Sequence, residues 1–348
     1  MINPLPFRLR NPIKRPQQLG NSNGFTLIEL LVAIILAALV ITPLLGFMIN
    51  ILSTDRKEQA KATSEQEIKA ALDYMAQDLQ QAVYIYNAES LTRTSQQDPR
   101  GIKDQLPPQV TTGVDGCSDS GSDTCEPILV FWKRELEKNV IPVTNCTISS
   151  TTDCKDDTYV YSLVGYYLIS GNNTSNTWSN VARIARFEIS DGVIDPAQPT
   201  QNNQPNYIAS YSPDGGFAAF SLSGSGDLDL KMNRWEKSST NYSVNFGNTV
   251  LADYIDNSSV ALSTAPSAIS CDTANGEQMV PKPPTPNAPT AKGIYACVNS
   301  QQNYARLYLR GNAQARLQTN NIAYNANKST FFPTATIQVE GRGTLFTR

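Results

Sequence analysis

The chain has 348 residues, of which 40% are hydrophobic and 17% charged, with a net charge of −3 and no histidine. The apolar share argues against disorder throughout, and the acidic balance argues against a nucleic-acid binder. The missing histidine excludes Ser-His-Asp and Cys-His nucleophilic sites, a histidine general base and histidine-ligated zinc or haem. Charge is unevenly placed. Residues 1–24 hold Arg8, Arg10, Lys14 and Arg15 and no acid, whereas the rest of the chain holds 24 bases and 31 acids. By the positive-inside rule the basic arm is expected to stay in the cytoplasm and the remainder to be exported.

Leu30 to Leu52 is a run of 23 residues without a charged side chain. As a helix it rises about 35 Å, enough to cross a bilayer core of about 30 Å. A cleaved secretory signal has a shorter apolar core that ends at a small-residue site. Here Ser53, Thr54, Asp55 and Arg56 lead into more helical sequence, so the segment is read as retained. Glu29 stands just inside the run, where an ionisable group is costly and its default reading is functional. Pro43 removes one backbone hydrogen bond, so a helix kink is expected there.

Gly24-Phe25-Thr26-Leu27-Ile28-Glu29, set between a basic arm and an apolar span, resembles the class III signal of type IV pilins and type II secretion pseudopilins. The resemblance implies cleavage after Gly24 by a prepilin peptidase and methylation of the new terminus, Phe25. It also implies that Glu29 guides filament assembly by attracting the terminal amine of a neighbouring subunit. A carboxylate and an ammonium at low dielectric attract strongly, and each alone is costly to bury.

Ile68, Leu72, Met75, Leu79, Ala82 and Tyr86 continue as one helical stripe, with Lys57, Glu58, Lys61, Glu65, Lys69, Asp73 and Asp78 mostly off it. A single helix is therefore expected from about Phe25 to about Tyr86, its second half seating a globular domain. Past Asn87 the pattern changes to short β-rich runs between Gly, Asn, Ser and Pro loops. Strands are expected at Ile128–Lys133, Tyr159–Ile169, Val181–Ile189, Phe217–Leu222, Tyr242–Phe246, Ala305–Leu309 and Thr334–Val339, with Leu251–Asp256 as a turn into a strand. Trp132, Tyr159, Tyr161, Tyr166, Tyr167 and Phe187 are read as core and cross-strand packing. Pro281 to Pro289 reads as an extended polyproline-like loop.

All six cysteines follow the apolar span, and an even count in an exported region argues for disulfides. Cys117/Cys125 and Cys146/Cys154 share one spacing, with seven residues between, and Cys271 and Cys297 flank the proline-rich tract. Three sequential bridges in that order are expected, although the count leaves other connectivities open. With no C-x2-C and no histidine, a metal site is not expected. Asp115, Asp119 and Asp123, then Asp153, Asp156 and Asp157, and Asp227 with Asp229 are read as solvated loops rather than calcium ligands, since none matches an EF-hand. Gly224-Ser-Gly226 is not a phosphate loop.

The size points to a minor subunit. Ile184-Ala-Arg186 and Leu251-Ala-Asp253 resemble elements of large J-type minor pseudopilins. Ile128 to Glu135, Tyr308 to Ala313, Phe331-Phe-Pro333 and Gln338 to Arg342 resemble the pseudopilin of the cyanobacterial hormogonium polysaccharide secretion system, a family associated with slime export and gliding. The expected fold is α+β, a long N-terminal helix packed on an antiparallel β-sheet head with disulfide-pinned loops. The expected segments are a leader (1–24), a membrane helix (25–54), its amphipathic continuation (55–87) and an exported head (88–348). The expected protein is a non-enzymatic filament subunit without a cofactor. It would be anchored once in the inner membrane with its C-terminal domain in the periplasm. Implied partners are the prepilin peptidase, sibling pilins, a platform protein and an assembly ATPase. A pilus-borne adhesin that binds a glycan or surface is the alternative. An Asp/Glu-only glycosidase on a membrane anchor is a third.

Overall fold

The computed structural model describes residues 24–107, 124–143, 154–171, 177–202, 204–242, 249–285, 289–343 and 345. The chain divides into two compact units, Met1–Asp55 and Arg56–Arg348. Helix α1 (Leu27–Gln80) begins in the first and ends in the second. Its first half is exposed at every described position before Ser53, and α1 is long and apolar enough to cross a membrane.

In the second unit α1 becomes amphipathic. Ala60, Ser64, Ile68, Ala71, Leu72, Met75, Ala76 and Leu79 are buried at three- and four-residue spacing. Beside this stripe Glu58 pairs with Lys61 at 2.9 Å, and on the exposed face Glu65 pairs with Lys69 at 2.6 Å. Such exposed helix pairs add only about 0.3 kcal/mol each.

The helix stops at Gln80, short of the expected Tyr86, and Ala82–Ile85 forms strand β1 with all four residues buried. Ala82 and Tyr86 continue the helical spacing, but Val83, Tyr84 and Ile85 between them leave no polar face. A fully apolar, β-branched and aromatic run is a buried strand. The short helix α2 (Ala88–Thr92) follows, its start capped by the Asn87 side chain, which accepts from Ser90 N at 3.0 Å.

The next elements are β2 (Thr124–Pro142), β3 (Lys155–Ser170), β4 (Ala182–Ser190), the two-residue pair β5 (Thr200–Gln201) and β6 (Gln204–Pro205), helix α3 (Leu228–Met232) and β7 (Val250–Ile255). Strands β1-β2-β3-β4-β7 form a five-stranded antiparallel sheet in that order. The β-rich segments expected around Ile128, Tyr159 and Val181 all lie in it, and the Leu251 segment forms β7.

Phe217–Leu222 is not a strand. Its apolar residues do not alternate, and it serves as a ring-bearing lid. Phe217 and Phe220 pack edge-on against Trp132, with centroids 5.9 and 4.9 Å away, and Trp235 adds a third ring at 5.6 Å. Of the expected strand Tyr242–Phe246 only Tyr242 is described. It lies outside any strand, and its hydroxyl donates to Gln105 O at 2.6 Å.

The C-terminal part adds β8 (Val260–Ala261), β9 (Gln278–Val280), β10 (Thr290–Ala291), β11 (Ile294–Asn299), β12 (Tyr304–Arg310) and β13 (Thr334–Glu340). A four-stranded antiparallel sheet runs β13-β12-β11-β9, and β10 pairs with β8. Backbone hydrogen bonds join the two larger sheets beside Gly293. Gly293 N donates to Asp256 O at 2.7 Å, Asp256 N to Arg310 O at 3.1 Å, and Arg310 N to Gly293 O at 2.6 Å. The buried half of α1 and the inner faces of both sheets share one apolar core.

Candidate processing and assembly site

The polar sequence at the head of the apolar span builds a capped helix start. Gly24 and Phe25 precede α1 and are exposed, Phe25 at 85%, and open space surrounds the Gly24 α-carbon. A peptidase needs a reachable bond, and Gly24–Phe25 lies exposed ahead of the helix. Thr26 Oγ1 accepts from Glu29 N at 3.3 Å, and Glu29 Oε2 accepts from Thr26 N at 3.0 Å and from Thr26 Oγ1 at 3.0 Å. This is a reciprocal capping box. Its signature, Thr-x-x-Glu before an apolar run, is legible in the sequence, but the reading above assigned Glu29 to assembly alone.

The cap leaves one carboxylate oxygen for other work. Among the described residues Glu29 Oε1 has no hydrogen-bond partner. A cationic group can reach Oε1 while Oε2 holds the helix start, without unwinding the first turn.

At Pro43 the helix remains continuous. Proline has no amide to give the Leu39 carbonyl, while Thr42 Oγ1 donates to the Ala38 carbonyl at 2.7 Å. The expected weak point is therefore a missing hydrogen bond inside an unbroken helix.

At its other end α1 is joined to the five-stranded sheet by a buried ionic cluster. Asp78 Oδ2 accepts from Arg186 Nε at 2.7 Å and from Tyr166 OH at 2.6 Å, and Lys133 Nζ lies 3.5 Å from Asp78 Oδ1. Lys133 also pairs with Glu188 at 2.7 Å and Glu135 at 3.1 Å, and Arg186 with Glu188 at 2.5 Å. Burial pushes the Asp78 carboxyl up, but hydrogen bonds from Arg186 and Tyr166 and the nearby positive charges hold it below the usual range. Burial pulls the Lys133 ammonium down, but Glu188, Asp78 and Glu135 hold it above its ordinary value. The cluster fixes which face of α1 meets the sheet. Arg186 ends the Ile184-Ala-Arg186 element singled out in the sequence. Asp253 of the Leu251-Ala-Asp253 element accepts from Ser179 N at 2.8 Å and Ser179 Oγ at 2.6 Å.

A second attachment lies nearer Arg56. Arg316 bonds Ser64 Oγ at 3.0 Å, pairs with Glu67, and stacks 4.1 Å over the Tyr254 ring.

Cys271 and Cys297 form a disulfide. Cys125 and Cys154 are each disulfide-bonded as well. Cys117 and Cys146, their expected partners, lie outside the described residues, as do Asp115, Asp119, Asp123 and Asp153. Three of the described acids have structural partners. Asp227 caps α3 through Leu230 N at 2.9 Å, Asp229 accepts from Tyr84 OH at 3.0 Å, and Asp157 accepts from Asn139 N at 2.9 Å. Glu277 lies beside the Cys271–Cys297 bridge. Both sulfurs are spent in that bond, and Glu277 holds Arg306 and, at 2.9 Å, Tyr304 OH. These three residues do not make a metal site.

Residues 19–45 match the family model described as the prokaryotic N-terminal methylation motif. No curated protein and no solved structure matches the chain. The motif indicates a type IV pilin- or pseudopilin-like subunit, and it implies processing by a prepilin peptidase and assembly with other pilins. The single apolar helix fits the membrane anchor typical of pilins.

Proposed function

We propose that the chain is a non-enzymatic minor pseudopilin. In this reading it is cut after Gly24, methylated on Phe25 and held in the inner membrane by Phe25–Leu52, with its β head in the periplasm. It enters a short filament, at or near the tip, that primes assembly or drives export. The filament machinery is a platform protein and an assembly ATPase, so the subunit itself needs no nucleotide. The observation that carries the reading is the exposed Gly24–Phe25 bond directly ahead of a Glu29-capped, membrane-length apolar helix. The size of the β-rich unit that follows supports a minor rather than a major subunit. The likeness of Ile128–Glu135 and Tyr308–Ala313 to the hormogonium pseudopilin supports polysaccharide as the exported class, in a gliding cell.

The test is the mature N-terminus, measured by mass spectrometry in a strain with its own peptidase beside a Gly24→Ala control. A chain that starts at N-methyl-Phe25, with uncut precursor in the control, supports the reading. An intact Met1 or a cut beyond Leu52 refutes it.

A further inference from the structure

Strand β13 is the outer strand of the four-stranded sheet, and its pairing to β12 is regular over seven residues, from Arg310↔Thr334 to Tyr304↔Glu340. Two bonds just beyond the ladder give its phase: Gly311 N donates to Pro333 O at 2.9 Å, and Gly341 N to Asn303 O at 2.8 Å. Antiparallel residues alternate between bonding inward and outward. Ala335, Ile337 and Val339 therefore bond to β12, and Thr334, Thr336, Gln338 and Glu340 turn their amides and carbonyls outward. Among the described residues, none of these four has a backbone hydrogen-bond partner on that outer side. The next outward amide, Arg342, is taken by Gln80 O at 3.0 Å, which marks where the open edge ends.

Edge strands are normally protected by charges, proline, irregularity or a covering segment. Three other edges among the described residues follow that rule. Beyond its pairing with β1, β2 carries Glu135, Glu137 and Lys138 and a register shift. The far side of β1 is closed by Gly343 N and Asn303 Nδ2, both donating to Ala82 O at 3.0 Å. β9 has three residues, with Glu277 N returned to Asp272 O before it and Pro281 after it. β13 reads Thr-Ala-Thr-Ile-Gln-Val-Glu, with one charge at its end and no bulge. Ala335 and Ile337, on its core face, are only half-buried, so apolar surface continues past the edge.

We infer that the outer edge of β13 accepts a β-strand from a different pilin-type subunit of the same filament, running opposite to β13. This rests on the pilin-like reading above. A second copy of this chain is the wrong occupant. β13 runs in the same direction as the second half of α1: Phe331 lies under Lys61 at 4.8 Å, Gly311 beside Ile68, and Arg342 on Gln80. Two β13 edges pair antiparallel only if one copy is inverted, and subunits that enter a filament from one membrane share one direction. A two-fold axis along the strands would instead set the core face of one sheet against the solvent face of the other. The chain's own descending edge, β9, is closed. The incoming strand is uncharged opposite Thr334 to Gln338 and has a basic residue facing Glu340. It alternates polar residues over the solvent face with apolar residues beside Ala335 and Ile337.

The experiment places a photo-crosslinking amino acid at Gln338 of the full chain, in the strain that makes it, with a control at exposed Gln318. Adducts and the mature N-terminus are identified by peptide mass spectrometry. The expected result is an adduct at Gln338, absent at Gln318, to another protein with an N-terminal methylation motif. Thr336→Pro removes an outward amide that bonds none of the described residues, so it should abolish the adduct while Cys271–Cys297 still forms. If Thr336→Pro fails to fold, the same loss is expected from Gln338→Pro with the crosslinker moved to Thr336. A processed Phe25 terminus with no adduct, an adduct to a second copy, or an adduct that persists in the folded proline variant overturns the edge proposal alone. An unprocessed terminus overturns the pilin reading as well.

Discussion

Asp78 of α1 and Arg186 of β4 meet side chain to side chain at 2.7 Å, beneath a helix whose neighbouring residues Met75 and Leu79 are fully buried. The pair does what apolar contacts cannot do. Leu and Met side chains tolerate small rotations of a helix on a sheet, but a carboxylate gripped by Arg186, Tyr166 and Lys133 has one good position. The attachment of the long helix to its β-rich unit is thereby specified at the last turn before β1.

Removing one partner should cost far more than the pair contributes over an apolar substitute, because the other charges stay buried. Asp78→Ala is expected to destabilise the second unit by about 3 kcal/mol, and Asp78→Asn by less, since an amide still accepts from Tyr166. Urea unfolding of the full chain in detergent, followed by tryptophan fluorescence, would measure it. Equal midpoints for Asp78→Ala and the parent would refute the role.

The same carboxyl gives a pH dependence. Its folded pKa lies below the ordinary value. The stability it contributes is therefore present above the unfolded pKa of about 4 and is lost as pH falls through the folded value. Melting temperature should fall with acid below about pH 4, and less steeply in Asp78→Asn. Glu277 and Asp104 are also held below their usual range, so part of the slope should remain. Parallel slopes in the two proteins would assign the acid sensitivity elsewhere.

Cys271–Cys297 closes a loop with a sequence separation of 26. By the chain-entropy argument, Cys271→Ser with Cys297→Ser should cost about 3 kcal/mol. The loss should localise to β9, β11 and the 271–277 turn. Hydrogen exchange resolved by peptide would show faster exchange there and unchanged protection in β2 and β3. Uniformly faster exchange would mean that the bridge supports the whole unit.

The strands densest in β-branched and aromatic residues are legible in the sequence. β2, β3, β4, β12 and β13 can be placed on that content, and the apolar span of α1 needs only its length. Ile294–Asn299 of β11 is fully buried, as is Ile128–Lys133 of β2, but it carries Ala296, Cys297 and Asn299 whereas the β2 run has Val130, Phe131 and Trp132, so it does not stand out as a strand. β1 was absorbed into the helix because Ala82 and Tyr86 happen to keep helical spacing. Phe217–Leu222 was over-read because aromatic content alone resembled a strand. The Asp78–Arg186 contact could not be read, since 108 residues separate the partners and each looks like an ordinary surface charge. The Thr26–Glu29 cap was legible, four residues long and local.

Gly293 offers the sharpest test of the inter-sheet junction. A β-carbon there would lie 2.2 Å from Asp256 O, just past β7, and 2.8 Å from Arg310 O, at the end of β12, both backbone atoms. Neither can withdraw freely. Asp256 and Arg310 also form a fully buried side-chain pair at 2.7 Å, and Arg310 NH2 donates to Ser258 O at 3.1 Å. Gly293→Ala must therefore part the sheets or distort the pair, at a cost of about 3 kcal/mol or more. Gly24→Ala, in open space, should leave stability untouched and change only processing. Thermal unfolding of the two variants, side by side with their mature N-termini, separates packing from processing. Gly293→Ala should melt early with a normal terminus, and Gly24→Ala should melt normally with the leader still attached. If Gly293→Ala melts with the parent, the close approach of the two sheets at Asp256 is wrong.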